Sequence, residues 1–162
     1  MMNGLDGGNS AQQKDLGERK NGFHEFETDV LGEWIDYNEH MNDGAYALAL
    51  TAANEAFLDY AKIGAGYRLE TGCSLYTVEA HIYYLAEVDA TDHLKAHTKI
   101  SELSAKKLRL LTTLFRSDGE KVARSEFLYL HYDQNHESVA PFPDSTLGRL
   151  TILQNLAVAQ NL

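Results

Sequence analysis

The middle of the chain carries a long apolar segment that starts at Ala45 and runs to about Lys62. It is rich in alanine, the best helix former, and polar side chains are almost absent before Asn54. A helix that is apolar on most of its circumference is buried. Gly64 and Gly66 follow and supply a C-terminal stop. The pattern therefore predicts one long buried helix.

After residue 72 the hydrophobic pattern changes to a period of two, which is typical of strands. One of the two alternating sets is apolar or aromatic throughout, and we expect it to pack on the helix. Its members are Tyr76, Val78, Ala80, Ile82, Tyr84, Ala86 and Val88. Further strands are predicted over 94–100, 108–115 and 122–132, with a short one over 23–31 before the helix.

The order of these elements predicts an α+β fold, in which one long buried helix is wrapped by a curved antiparallel sheet of about five strands. Pro141 and Pro143 end the sheet, because two prolines so close cannot both pair in it. We divide the chain into a flexible leader (1–22), a domain (23–143) and a C-terminal helix (144–162). The uncovered sheet edges favour pairing with a second copy.

Composition narrows the classes of function. The net charge of −10 disfavours nucleic acid and anionic membranes as partners, although a local basic cluster still suits an anionic ligand. No stretch reaches the ~20 apolar residues of a membrane span. The N-terminus has no apolar core of the signal-peptide kind. Together with the single cysteine, Cys73, these features predict a cytoplasmic protein.

A polar loop directly precedes the predicted helix. It places an acid, an amide and an imidazole at Asp36, Asn38 and His40. Asn42 and Asp43 follow, and such side chains cap helix N-termini. A helix N-terminus favours a developing negative charge, so an acid or base beside it is an acyl-transfer arrangement. The alternative is that these side chains only form turns and a cap.

The loop and the order of elements resemble the hotdog-fold acyl-CoA thioesterases related to 4-hydroxybenzoyl-CoA thioesterase. The resemblance covers about residues 23–143, and within that group the chain is similar to the betainyl-CoA thioesterases of bacterial carnitine breakdown. Four stretches carry the similarity, namely EWIDYNEHMND (33–43), SLYTVEAHI (74–82), YLAEV (84–88) and PFP (141–143). The chain departs from that pattern at Glu39, where a Gly usually stands, and at Tyr83, where an Arg usually stands.

The resemblance implies a set of catalytic roles. Asp36 is the catalytic carboxylate, acting as general base on water or as nucleophile on the thioester. By similarity to plant acyl-carrier-protein thioesterases, Asn38 and His40 orient the base or the water, and Glu87 is a second acid. The alternatives are a His40 that only shapes the turn and a Glu87 that is only an exposed strand-end charge. Backbone N–H groups at the helix start would bind the thioester oxygen; they belong to Asp43, Gly44 and Ala45.

Two further groups of side chains are candidates for substrate binding. Aromatic rings near the loop suit a trimethylammonium group, although aromatics are common in strands anyway; they are Trp34, Tyr37, Tyr46, Tyr76 and Tyr84. Basic side chains near two hairpins suit the phosphates of coenzyme A, or serve as edge-strand charges that prevent aggregation; they are Lys106, Lys107, Arg109 and Arg124.

The resemblance therefore implies hydrolysis of an acyl-CoA thioester, with betainyl-CoA as the leading substrate and a homodimer or homotetramer as the assembly. No metal or redox cofactor is expected, and coenzyme A leaves as product. His93 and His97 stand ~13 Å apart on a predicted strand, too far to share an ion. Two alternatives stay open, a hotdog acyl-CoA dehydratase or hydratase and a non-catalytic acyl-CoA-binding module that regulates a partner.

Overall fold

A computed structural model of the protein describes residues 22–159. Apart from Gly22, the expected flexible leader lies outside the described residues. In chain order the elements are β1 (His24–Asp29), a 3₁₀ turn (Gly32–Trp34), α1 (Asp43–Tyr60), α2 (Ala65–Thr71), β2 (Cys73–Tyr84), β3 (His93–Leu103), β4 (Lys107–Arg116), β5 (Lys121–Asp133), β6 (Ser138–Val139) and α3 (Asp144–Ala159).

The strands form one antiparallel sheet in the order β1-β3-β4-β5-β2, with β6 added beside β5. Helix α1 packs on β1, β3 and β4. This arrangement confirms the predicted α+β hotdog fold, with six strands in place of about five because the two-residue β6 was not expected. Strand β2 is an edge of the sheet, and most of its residues are exposed.

Helix α1 is buried along one stripe and open on the other side. The buried positions recur every three or four residues, as a helix that faces one sheet requires; they are Ala45, Tyr46, Ala49, Leu50, Ala53, Asn54, Phe57 and Leu58. Leu48, Thr51, Ala52 and Glu55 are exposed. The expectation that α1 is covered on most sides is therefore wrong for the single chain, whose sheet covers only one side.

The chain ends α1 earlier than the glycines suggest. The helix stops at Tyr60, and Lys62 adopts a left-handed backbone with φ of 58°. Arg149 of α3 donates from Nε to the Ala61 carbonyl at 3.1 Å and from Nη2 to the Lys62 carbonyl at 3.3 Å. Gly64 precedes α2, a helix that the sequence did not predict, and Gly66 lies inside it.

A bulge in β2 changes which side chains face the helix. Pairing with β5 shifts register between Thr77 and Glu79, so Val78 is the extra residue. Before the bulge, Thr77 lies opposite buried Tyr129 of β5; after it, Ala80 lies opposite buried Phe127. The predicted apolar face is therefore continuous only after Val78, because one inserted residue exchanges the two faces of a strand.

Two clusters of buried side chains join the sheet to the helices. One surrounds the N-terminal half of α1 and includes Trp34, Met41 and Val88, which lie on the segments that carry the polar loop. The other surrounds the C-terminal half of α1 and includes Leu150 of α3. The predicted C-terminal helix is confirmed over Asp144–Ala159. The first cluster anchors the polar loop from below.

Candidate active site

The polar loop is a short hairpin. Ile35 and Met41 pair as an antiparallel bridge, and the Asp36 amide donates to the His40 carbonyl at 3.0 Å. The intervening turn closes with Glu39 at φ of 67°. A three-residue hairpin loop commonly ends in such a left-handed residue, usually a glycine. Glu39 therefore stands at a position where the backbone of the turn favours a glycine.

The carboxylate of Asp36 helps to hold this turn. Its Oδ1 accepts the backbone N–H of Asn38 at 2.7 Å, and the Glu39 amide donates to the Asp36 carbonyl at 3.0 Å. Asp36 is half-buried, whereas Asn38 is exposed. The turn-forming alternative is thus observed, and within residues 22–159 it engages Oδ1 of Asp36 and leaves Oδ2 without a hydrogen bond. Asn38 therefore orients the Asp36 carboxylate through its backbone amide.

The loop leads directly into the capped end of α1. Asn42 is the N-cap; its Oδ1 accepts from the Ala45 amide at 2.9 Å, and its Nδ2 donates to the Trp34 carbonyl at 2.8 Å. The Ala45 N–H is therefore occupied and unsuited to bind a substrate oxygen. Asp43 and Gly44 are exposed, and their amides donate to no acceptor within residues 22–159. The oxyanion-binding role of these two amides stays a prediction.

Replacing Asn42 with Ala is expected to lower the free energy of unfolding by about 1–2 kcal/mol, because it removes the cap and the tie to Trp34. Urea unfolding followed by circular dichroism measures the change. Asn42→Asp keeps the oxygen that caps Ala45 and loses only the bond to Trp34, so we expect a smaller loss. Equal losses in the two variants would contradict the assignment of the cap.

Two acids flank the imidazole of the loop. His40 Nε2 lies 3.5 Å from Oε2 of Glu87 and 3.3 Å from Oδ1 of Asp89. The backbones of the two segments pair as well. His40 and Asp89 form an antiparallel β-bridge, and the Met41 amide donates to the Val88 carbonyl at 2.9 Å. The structure thus brings His40 and Glu87 together, and the role of Glu87 as a second acid stays a prediction. Sequence reasoning missed Asp89, because its approach to His40 depends on the pairing of the hairpin with the segment after β2.

The five aromatic candidates do not form one cluster within a single chain. Trp34 is 9% exposed and supports the loop from below, whereas Tyr37 is 93% exposed at the hairpin tip. Tyr46 and Tyr84 lie edge to face, with ring centroids 5.4 Å apart, at the start of α1. Tyr76 stacks on Tyr132 with centroids 4.5 Å apart, roughly 26 Å along β2 from Tyr84. Within one chain, therefore, Tyr76 does not belong to this site.

The pair of tyrosines at the site is held by main-chain contacts. Tyr46 donates its hydroxyl to the Ala86 carbonyl at 2.9 Å, and the Tyr84 hydroxyl lies 3.5 Å from the Asp43 carbonyl. Burial raises the pKa of the Tyr46 phenol, and the nearby charge of Glu87 adds to this effect. Tyr46 is therefore a neutral hydrogen-bond donor, and the half-exposed ring of Tyr84 is the one available to a ligand.

Of the basic candidates, Lys106 and Lys107 lie far from the loop within one chain, while Arg109 and Arg124 are engaged by other side chains. Lys106 and Lys107 lie at the opposite end of β4 from Arg116, roughly 30 Å away along the strand. Arg109 contacts the acids Glu79 and Glu102 at 3.3 Å and 3.1 Å, and these bonds raise its pKa. Arg124 lies over the ring of Tyr83, 4.5 Å from its centroid.

Arg116 is a basic side chain at the site that the sequence analysis did not single out. Its Nη1 donates to the Glu87 carbonyl at 3.0 Å, while the guanidinium pairs with Asp118 and Glu120. Its charge is thus balanced, and it fixes the backbone that carries Glu87. Its position at the start of the β4–β5 hairpin was visible in the sequence, but the contact across to Glu87 was not.

The histidines on β3 are engaged separately. His93 contacts Asp29 and Glu27 on β1, and His97 lies 3.6 Å from Glu25. Within residues 22–159, no group of three or more His, Cys, Asp or Glu side chains is arranged to hold a metal ion. In the same part of the chain, no helix has the length and apolar character needed to cross a membrane.

Comparison with known proteins identifies relatives of this chain. It is 38% identical over 124 residues to an L-carnitine dehydrogenase/betainyl-CoA thioesterase of Agrobacterium fabrum, covering 76% of this chain but only 25% of that longer protein. It is 32% identical over 129 residues to a betainyl-CoA thioesterase of Pseudomonas aeruginosa, covering 79% of this chain and 81% of the relative.

The fold and the family agree with these similarities. A structure of a hypothetical protein from Staphylococcus aureus in complex with CoA superposes with a TM-score of 0.78 at 24% identity, covering 82% of this chain and 84% of that one. The family model of the thioesterase-like superfamily matches residues 30–150. This match spans the hairpin, the helix tip and the whole sheet from β2 to β5, so the chain belongs to the thioesterase-like superfamily.

Proposed function

We propose that this protein hydrolyses an acyl-CoA thioester to a free acid and coenzyme A. One observation carries the proposal: a single short hairpin joins the carboxylate of Asp36 to a helix end whose Asp43 and Gly44 amides have no acceptor in the described residues. A base and an oxyanion site in one unit are the two parts that thioester hydrolysis needs. The names of the relatives support the same reaction.

In this proposal, Asp36 accepts a proton from water through its second oxygen while the first stays bonded to Asn38. The water oxygen bonds to the thioester carbon, and the amides of Asp43 and Gly44 stabilise the negative charge on the carbonyl oxygen. The C–S bond then breaks, and the thiolate takes up a proton as coenzyme A leaves. Attack by Asp36 itself, followed by hydrolysis of the anhydride, is the second route that this geometry supports.

We propose a homodimer in which β2 of one chain meets β2 of the other. Support comes from the exposed edge of β2 and from the side of α1 that the sheet of one chain leaves uncovered. An unpaired apolar strand edge is a template for another strand. In such a dimer, the partner's sheet would complete the site over Asp36 and Tyr84, and basic side chains of the partner would reach the CoA phosphates. A homotetramer is a further association of the same dimers.

For the acyl group we propose betainyl, which carries a fixed positive charge. The half-exposed ring of Tyr84 and the carboxylate of Glu87 lie beside the helix tip, and both kinds of group attract a quaternary ammonium ion. We place the enzyme in the cytoplasm, where CoA thioesters are used. The reaction needs only water in addition to the substrate, so we propose no metal or redox cofactor.

A thiol-release assay with betainyl-CoA, acetyl-CoA, aromatic and long-chain acyl-CoA esters tests the proposal. Release of free thiol is expected, with kcat/KM at least about tenfold higher for betainyl-CoA than for acetyl-CoA if a cation–π contact of the expected strength forms. A change in enoyl absorbance without thiol release would identify a dehydratase or hydratase instead. Binding without turnover of any ester would identify a regulatory binding module.

A further inference from the structure

Three short segments lie side by side at the polar loop. Residues 35–36 pair with residues 40–41, and these pair in turn with residues 88–89. In an antiparallel ribbon, directly opposite residues project to the same side. The register therefore places Asp36, His40 and Asp89 in one row on one side of this ribbon. Neighbours in such a row have their Cβ atoms about 4.5–5.5 Å apart.

The imidazole of His40 leans towards one end of this row. Its Nε2 lies 3.3 Å from Asp89 and 3.5 Å from Glu87, while within residues 22–159 it forms no ion pair with Asp36. Ionised carboxylates only accept hydrogen bonds, so these two acids favour the tautomer of His40 that carries its hydrogen on Nε2. The remaining ring nitrogen, Nδ1, is then the one that is free to interact with water or substrate.

Asp89 is itself rigidly placed. Its amide donates to Oδ2 of Asp92 at 2.8 Å, and the Asp92 amide donates back to the Asp89 carbonyl at 3.1 Å. The Val30 amide donates to the Asp92 carbonyl at 3.3 Å, which ties this turn to the end of β1. The backbone of Asp89 is thus held by its hydrogen bonds with Asp92, and its carboxylate is available for His40. Glu87 is more exposed, with 79% of its side chain accessible against 65% for Asp89.

We propose that Asp89 is a positioning residue for His40, assisted by Glu87. It holds Nε2–H of His40 and thereby fixes both the tautomer and the orientation of the ring, so that Nδ1 is presented for the reaction at Asp36. This inference rests on the proposed thioester hydrolysis for its catalytic consequence, but the state of the His40 ring depends only on the contacts described above.

A double-mutant cycle tests the catalytic consequence. Asp89→Asn is expected to lower kcat about tenfold with KM nearly unchanged, because partners that orient a general acid or base act on the reaction step. In a His40→Gln background the same substitution is expected to have no further effect, since residues that act through one another are not additive. Asp89→Glu, which restores a carboxylate, is expected to recover part of kcat.

Asp133→Asn is the matched control. It removes the carboxylate of another surface Asp–His pair, in which His136 Nδ1 lies 2.7 Å from Asp133 Oδ2, at the end of β5 remote from the hairpin. We expect unchanged kcat in this variant. An equal fall of kcat on changing Asp89 in both the wild-type and His40→Gln backgrounds would overturn the proposal, as would no fall at all in the wild type.

A spectroscopic readout keeps the proposal testable if no thioester is hydrolysed. In protein with ¹⁵N-labelled histidine, the ¹⁵N shifts of neutral His40 are expected to report the Nε2–H tautomer, and Asp89→Asn is expected to produce a mixture of tautomers. Unchanged shifts in that variant would refute the positioning role of Asp89. If no ester releases thiol but the ¹⁵N shifts change as expected, only the proposed function would be refuted.

Discussion

Asp36→Asn is expected to lower thioester turnover by about 10³-fold or more while leaving the fold intact. Asparagine keeps an Oδ1 that accepts the Asn38 amide, so the hairpin is preserved and only the basic, nucleophilic oxygen is lost. Thiol release gives the turnover, and thermal unfolding monitored by circular dichroism gives the stability. The expected result is a large fall in kcat with a melting temperature close to that of the wild type.

Asp36→Ala is the informative companion to this variant. It removes the carboxylate and the turn together, so its activity should be as low while its stability also falls, by about 1 kcal/mol for the lost hydrogen bond. Turnover like that of the wild type in Asp36→Asn would remove the proposed mechanism. A fall in turnover that tracks unfolding in both variants would reduce Asp36 to its role in the turn.

The second large effect is expected at the exposed edge of the sheet. The double substitution Val78→Lys and Ala80→Lys places two charges per chain on β2, where Val78 is the unpaired residue of the bulge. In a two-fold interface centred near this part of β2, the lysines of one chain would face the lysines of the other, so the dimer should dissociate. We expect a monomer in analytical ultracentrifugation and a fall in thioester turnover of at least about 100-fold, the loss of about 3 kcal/mol.

Ile152→Lys is the matched control for this experiment. Ile152 is 62% exposed on α3, compared with 53% for Val78 on β2, so a lysine replaces a similarly exposed apolar side chain on another surface, with one added charge per chain against two on β2. This variant should stay dimeric and active. A double variant on β2 that remains dimeric would refute the proposed interface, and a monomer with full turnover would refute a site completed by the partner.

The sequence predicted the central helix and the polar loop because their signals are local. Asn42 precedes an alanine-rich run, and its cap on Ala45 follows directly from that order. The bulge at Val78 was not predictable, because a period of two continues through it in the sequence. The exposed side of α1 was also missed, since periodicity does not reveal how many sides of a helix the sheet covers.

Contacts between distant segments account for the rest of the differences. His40 meets Asp89 because the return arm of the hairpin pairs with the segment after β2, and no spacing in the sequence encodes that pairing. Ala45 was counted as a free donor although its cap acceptor, Asn42, was already identified as a capping residue. Tyr76 was assigned to the loop by residue type, and the length of β2 separates it from the loop within one chain.

The guanidinium of Arg149 has a consequence for where this protein can be shortened. Arg149 lies on a helix that begins only at Asp144, and it donates to the two carbonyl groups directly after α1. A chain cut at residue 143 would therefore leave the carbonyls of Ala61 and Lys62 without this donor. The same cut would strip Leu150 from the core. Helix α3 therefore stabilises the end of α1, and a domain produced without α3 is expected to be less stable.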